Sequence, residues 1–327
     1  MHMSDALLSP VVGGVMLAVS AGTLGYAVRD VKRHFAEERI PLMGVAGAFV
    51  FAAQMINFAI PGTGSSGHLG GAVLLSALLG PSPAFIVMAG VLLIQALFFA
   101  DGGLLAWGGN LFNMGFFGCY VAYPLVFRPL VGKEVSRGRV LCASMLASVV
   151  SLELGAFAVT LETLASRITE LPFGTFVAAM MPIHLAIAIG EGLATSAVLL
   201  FVRRHLPDAE SLRLEGEGLS LKGVSVVLGI VSVLVAGGLS LIASGDPDGL
   251  EWSMERVAGT AELESSGSLH ALMSRISEAC AVLPDYALPN SESWFGTTLS
   301  GLVGVLLCLA LLALIGYALC HRRVAAK

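Results

Sequence analysis

The run Pro10-Val11-Val12-Gly13-Gly14-Val15-Met16-Leu17-Ala18-Val19-Ser20-Ala21-Gly22-Thr23-Leu24-Gly25-Tyr26-Ala27-Val28 carries no charged side chain, and Arg29, Lys32 and Arg33 follow at once. At about 1.5 Å of rise per residue it matches the roughly 30 Å hydrocarbon core of a bilayer. It reads as a membrane-spanning helix. Similar apolar stretches fall near residues 42–60, 83–100, 110–127, 140–162, 175–202, 223–243 and 298–320, and a shorter one at 68–80 spans only if tilted or half-embedded. With 56% hydrophobic and 13% charged residues and a mean hydropathy of +0.85, the chain is far from a soluble globule, whose charged fraction is about 25%. Ten-residue runs of alternating polarity, the mark of a membrane β-barrel, are absent, so backbone groups are expected to be satisfied within helices. The expected fold is an all-α integral membrane protein, a polytopic helical bundle of about nine membrane segments.

Lys and Arg near span ends stay in the cytoplasm. Arg29, Lys32, Arg33 and Arg39 follow the first span; Arg128, Lys133, Arg137 and Arg139 the fifth; Arg203, Arg204, Arg213 and Lys222 the seventh; Arg322, Arg323 and Lys327 end the sequence. Only Arg167, Arg256 and Arg275 fall on the opposite side. The implied topology has the amino terminus extracytoplasmic and the carboxyl terminus cytoplasmic, in a bacterial-type inner membrane. No basic residue precedes the first span, and Asp5 is acidic, so a cleavable signal peptide is not expected.

Outside that first span stands His2. The amine of Met1, the amide nitrogen of His2 and the Nδ1 of His2 can close a five- and a six-membered ring around one divalent ion, and a further imidazole completes four-coordination. A planar nitrogen set suits Ni(II) or Cu(II) better than Zn(II), Mg(II) or Ca(II). The plain alternative is a solvated side chain. The further imidazole is His68, in Pro61-Gly62-Thr63-Gly64-Ser65-Ser66-Gly67-His68-Leu69-Gly70-Gly71, where proline and glycines mark a tight, irregular backbone on the same side as the amino terminus. Asn57, Gln95, Asn110 and Asn113, near outer span ends, and Asp101 suit hydrogen bonds that orient this loop or His68, or ordinary interhelical contacts. His184 and Glu191 are seven apart on one helical face, and ionisable groups inside a bilayer mark function; they are read as a structural or gating pair.

The stretch Thr63 to Gly71, with Gln95-Ala96-Leu97, Asp101-Gly102-Gly103, Gly109-Asn110-Leu111-Phe112-Asn113-Met114 and His184-Leu185-Ala186-Ile187-Ala188-Ile189-Gly190-Glu191-Gly192, resembles the CbiM/NikM family over residues 1 to 205. These are substrate-specific membrane components of energy-coupling factor transporters for cobalt and nickel. The resemblance implies a metal site made by the Met1 amine, the amide and ring of His2, and the ring of His68. Where the family often has an isoleucine and an acidic-glycine pair after Met-His, this chain has Met3, Ser4, Asp5 and Ala6; the ligating atoms are unaffected.

A second unit is expected over 223–327, after a cytoplasmic linker 206–222. It has two spans and a loop, 244–297, whose nine acids and two arginines give about seven net negative charges. Pro247 to Glu251 resembles the PDGLE motif of the accessory subunit NikN. The acids draw cations to the outer face or simply keep the loop soluble. Gly132-Lys133 lacks the rest of a phosphate-binding loop, so ATP hydrolysis falls to the cytoplasmic ATPase partners and coupling transmembrane T subunit that the resemblance implies. No cofactor is expected; Ni(II), or else Co(II), is the transported substrate. A rival from another class is an intramembrane serine protease, since Gly64-Ser65-Ser66-Gly67 matches Gly-x-Ser-Gly and His184 offers a base.

Overall fold

The computed structural model describes residues 1–205, 221–261, 263, 267–288 and 294–321; all but the last two residues of the expected linker lie outside them. In chain order the elements are α1 (Pro10–His34), α2 (Ile40–Gln54), a hairpin of β1 (Phe58–Ile60) and β2 (Ser65–Gly67), α3 (Ala72–Leu79), α4 (Pro81–Phe98) and α5 (Trp107–Val131). Then come α6 (Arg137–Ser166), α7 (Phe173–His205), α8 (Leu221–Gly237), α9 (Gly249–Ala258), α10 (Ser268–Cys280) and α11 (Trp294–His321). Among the described residues six helices, α1, α4, α5, α6, α7 and α11, are long and apolar enough to cross a membrane. The expected stretches 42–60, 68–80 and 223–243 supply shorter helices of 15, 8 and 17 residues. Large apolar side chains such as Val11, Val15 and Val19 on α1, Leu185 and Ile189 on α7, and Ile230 and Leu234 on α8 face outward. Such apolar outer faces befit a multi-pass membrane protein.

Two details depart from an all-helical reading. The segment 58–67 is not irregular: Phe58, Ala59 and Ile60 pair antiparallel with Gly67, Ser66 and Ser65. Gly62 and Gly64 turn the corner at φ of 78° and 71°, a region where glycine has no steric penalty. Pairing satisfies the backbone where helix α2 has ended. In α5, residues Leu111–Phe127 wind in a π register, a form associated with functional sites.

Helix termini follow their sequence signals. Ser9 caps α1 by accepting from the Val12 amide ahead of Pro10, while Lys32, Arg33 and His34 occupy its last turn, the negative end of the helix dipole. Helix α2 is buried on every face from Leu42 to Gln54, and α8 and α11 both pack on it. Gly44 and Gly47 make room for α11: a Cβ at Gly44 would meet the Leu309 carbonyl, and one at Gly47 the Leu312 side chain. Gly22 and Gly25 have nothing within 4 Å. On the other flank, Gly108 of α5 lies against the main chain of α1, where a Cβ would fall 2.4 Å from Leu17 Cα. Ser20 donates to the Gly108 carbonyl at 2.6 Å.

Gly108→Ala therefore forces two main chains apart and is expected to cost about 1–3 kcal/mol, whereas Gly14→Ala, with nothing within 4 Å of its Cβ, is expected to be neutral or to gain up to about 1 kcal/mol. Thermal unfolding in detergent checks the opposite signs; equal melting points for the two variants would contradict this packing.

Candidate metal centre

Residues 1–8 enter the bundle and are held there by their backbone. Asn110 accepts from the Met3 amide through Oδ1 at 2.8 Å and donates to the Met3 carbonyl through Nδ2 at 3.0 Å. The Gly103 amide donates to the same carbonyl at 2.9 Å. Asp5 accepts from the Ala106 amide at 2.9 Å, and His270 of α10 donates to the Leu8 carbonyl at 2.9 Å. The glycines of Asp101-Gly102-Gly103 are needed here: Gly102 has a φ of 86°, and a Cβ on Gly103 would overlap the Asp5 carboxylate.

This insertion sets the Met1 amine 3.0 Å from His68 Nε2 and in an ion pair with Asp248 Oδ2. His68 Nδ1 donates to the Leu69 carbonyl at 3.1 Å, so the lone pair sits on Nε2, facing the amine. For His2 the logic runs through two glutamines. Gln95 donates its Nε2 to Gln54 Oε1 at 2.8 Å, which leaves Gln95 Oε1 to accept from His2 Nε2 at 3.1 Å. The ring's lone pair therefore sits on Nδ1. Gln54 in turn donates to the Gly70 carbonyl at 3.0 Å, tying His2 and the His68 loop to one relay. The two imidazoles stack with centroids 5.1 Å apart. Asp101 Oδ1 lies 3.3 Å from His2 Nδ1, its other oxygen accepting from Tyr286 at 2.6 Å.

Burial holds both rings neutral. It lowers His2 below the usual imidazole range, and it carries His68 down to about 3 with help from the nearby ammonium. Burial alone would raise the Asp248 carboxyl, but the Met1 ammonium and then His68 outweigh it and hold Asp248 well below the carboxylate range. Among the described residues no three His, Cys, Asp or Glu side chains converge on one point.

The supporting residues divide by what they hold. Glu191 accepts from the Gly70 and Gly71 amides, each at 3.0 Å, and so clamps the backbone after His68. It does not pair with His184, whose Nδ1 donates to the Met180 carbonyl at 2.8 Å and whose buried Nε2 has no partner. Both line a small cavity with Met1, His68, Asn113 and Asp248. Asn110 and Asn113 hold the amino-terminal segment and Glu162 rather than the glycine-rich loop. Asn57 contributes its carbonyl, which accepts from the Ser244 amide at 2.7 Å. The Ser66 hydroxyl donates to the Asp246 carbonyl at 2.7 Å, and Ser65 donates to the carbonyls of Ser66 and Pro247. With Ser66 bound to backbone and His184 bound to Met180, the dyad required for a serine protease is not assembled.

Sequence reasoning overlooked Asp248, Gln54, Glu162 and Tyr286 at this centre. Asp248 was legible as part of Pro247 to Glu251, whose acids were read together as diffuse loop charge. Gln54 lay inside an apolar stretch with nothing to distinguish it from interhelical contacts.

Comparison with known proteins matches residues 2–209 to the family model described as CbiM, cobalt uptake substrate-specific transmembrane region, and residues 222–321 to the PDGLE domain. A fused nickel transport protein NikMN from Rhodobacter capsulatus is 32% identical over 95% of this chain and 95% of its own length. The cobalt transport protein CbiM of Geobacter sulfurreducens is 28% identical over 64% of this chain and 61% of its own. A crystal structure of a transition metal transporter, 31% identical, superposes with a TM-score of 0.55 over 62% of this chain and 93% of that one.

Two outcomes are expected. Glu191→Gln leaves one acceptor oxygen for the two amides that Oε2 and Oε1 now serve: one hydrogen bond becomes neutral and the other N–H faces an NH2 donor, a loss of about 1.5–3 kcal/mol, read as faster amide exchange at Gly70 or Gly71; unchanged exchange would show that the clamp is unimportant. In metal-free protein the fold refuses protons that unfolded histidine accepts below about 6.5, so stability is lost as pH falls through 6.5 toward the His68 value of about 3. Melting curves with chelator should fall from pH 7.5 to pH 5, and His68→Gln should flatten the decline.

Proposed function

The chain belongs to the CbiM family of cobalt uptake substrate-specific transmembrane regions, and on that premise we propose that this metal-transport component captures Ni(II) with four nitrogens. These are the Met1 amine, the His2 amide, His2 Nδ1 and His68 Nε2. The carrying observation is the 3.0 Å approach of the Met1 nitrogen to His68 Nε2. Metal–nitrogen bonds of about 2.0 Å put neighbouring corners of a square about 2.8 Å apart. Amine, amide and Nδ1 take three successive corners by covalent connectivity, so the fourth donor must neighbour both the amine and the His2 ring, as His68 does. On binding, the ammonium and the His2 amide each release a proton to water as their nitrogens bond the metal. With His2 neutral, Nδ1 and Asp101 Oδ1 face each other with lone pairs at 3.3 Å; a cation at Nδ1 turns that contact into attraction.

Access is from a wide mouth where Asp101, Asp248, Glu251, Glu278 and Asp285 lie beside His2 and His68. This supports electrostatic delivery of a cation. The topology that suits it has residues 1–205 as the metal-binding domain, 206–222 as cytoplasmic linker and 223–327 as accessory unit. The metal mouth faces outward and the carboxyl terminus inward across the cytoplasmic membrane, with nine crossings in which the short helices α2, α3 and α8 count as three. Fifteen of the 18 Lys and Arg residues then lie inside. Passage inward is coupled to ATPase and T subunits of an energy-coupling factor assembly.

Cobalt is the second reading, favoured by the family description and by the CbiM relative. Nickel takes precedence because a displaced amide proton and planar nitrogens suit it better, and because the fused relative is a nickel transporter.

Metal content and affinity of the purified protein, with Ni, Co, Cu and Zn in competition and intact mass confirming an unprocessed Met1, test this. His68→Ala, and one extra residue before Met1, should each abolish high-affinity nickel binding, and wild-type affinity in either variant would refute the four-nitrogen site.

A further inference from the structure

The segment Pro247 to Glu251 does not hover over the mouth as a charged loop; it is docked on the hairpin. The Ser66 amide donates to the Pro247 carbonyl at 2.8 Å, and Ser66 bridges to Asp248 in parallel register. Trp252 donates its indole N–H to the Thr63 carbonyl at 3.0 Å. Asp248 opens α9 with a capping box: its Oδ1 accepts from the Leu250 and Glu251 amides at 2.8 and 2.9 Å, and Glu251 accepts from the Asp248 amide at 3.0 Å. That leaves Oδ2 unclaimed by the helix, and Oδ2 is the atom on the Met1 amine, 3.9 Å from His68 Nε2. Gly249 permits the approach, because a Cβ there would fall 2.7 Å from Ile187 and 3.1 Å from the His184 ring. Leu250 is buried beneath.

We propose that Asp248, carried by the carboxyl-terminal unit, is the fixed counter-charge of the metal site, so that the accessory segment completes the binding pocket instead of only drawing ions toward it. The inference rests on the four-nitrogen reading above. In the empty site the carboxylate faces an ammonium. In the filled site the same carboxylate faces the dication that the freed amine has bound. A charge buried without a partner is costly, and one acid serves both states without moving. Removing it leaves the nitrogens in place but strips the negative partner from a poorly hydrated cation.

Nickel affinity of the full chain is measured for Asp248→Asn, Asp248→Glu, Asp246→Asn and His68→Ala side by side. Asparagine is as good an N-cap as aspartate, so Asp248→Asn keeps the start of α9 and removes the charge. It is expected to bind nickel about 10–100-fold more weakly, with Asp248→Glu recovering most of the loss. Asp246 is exposed and its side chain accepts from the Ser244 hydroxyl, so Asp246→Asn should stay within about two-fold, as befits a screened surface charge. If Asp248→Asn binds like wild type while His68→Ala has lost binding, the counter-charge is refuted and the nitrogen site survives. Equal weakening by Asp248→Asn and Asp246→Asn, or an Asp248→Glu no better than Asp248→Asn, also refutes it by assigning the effect to diffuse charge or to fold. Wild-type binding by His68→Ala sinks the four-nitrogen reading itself.

Discussion

A positive amine carried into the interior of a helical bundle must find a negative partner, and in this protein that requirement organises the end of the molecule that holds the metal centre. The Met1 ammonium meets Asp248 and faces the lone pair of His68. To bring it there, the chain threads its first eight residues between α4, α5 and α10, with Met3, Leu7 and Leu8 fully buried. Buried backbone must be paired, and Asn110, Gly103 and His270 do that for Met3 and Leu8. Asn110 is thus accounted for by the threading of a terminus.

The same requirement explains the hairpin. His68 has to stand beside the amine with its Nε2 bare, and three independent anchors fix the strand that carries it: the pairing of β1 with β2, the Glu191 clamp on Gly70 and Gly71, and the Gln54–Gln95 relay that reaches His2. Polar networks in a low-dielectric interior are valuable only when fully satisfied. Here one relay runs from the His2 ring through Gln95 and Gln54 to the Gly70 carbonyl, two residues after His68.

Much of this was legible from residues alone, and the exceptions have physical reasons. Composition and apolar run lengths were enough for a helical membrane protein; His2 came from the covalent geometry of an amino-terminal chelate, and His68 from its glycine-rich segment and the family resemblance. The short helices were less legible, because the run 42–60 stays apolar beyond Gln54 while its backbone has already left the helix; hydropathy counts side chains and cannot see where hydrogen bonding changes partner. The hairpin hid behind Gly62 and Gly64, which signal a turn but not what flanks it. Asp248 stands in the motif Pro247 to Glu251, but the motif alone does not say where its acid points; the pairing of Pro247 with Ser66 brings it to the Met1 amine.

The bridge between Ser66 and Asp248 joins two regions 182 residues apart in sequence that belong to one polypeptide. Were the two regions separate subunits, α8 and α11 would have to find α2 before the bridge could form. Tethering replaces that encounter with an intramolecular one at an effective concentration on the order of millimolar, so assembly does not depend on cellular abundance. It also fixes the stoichiometry at one Asp248 for each His68, whatever the relative expression of other components.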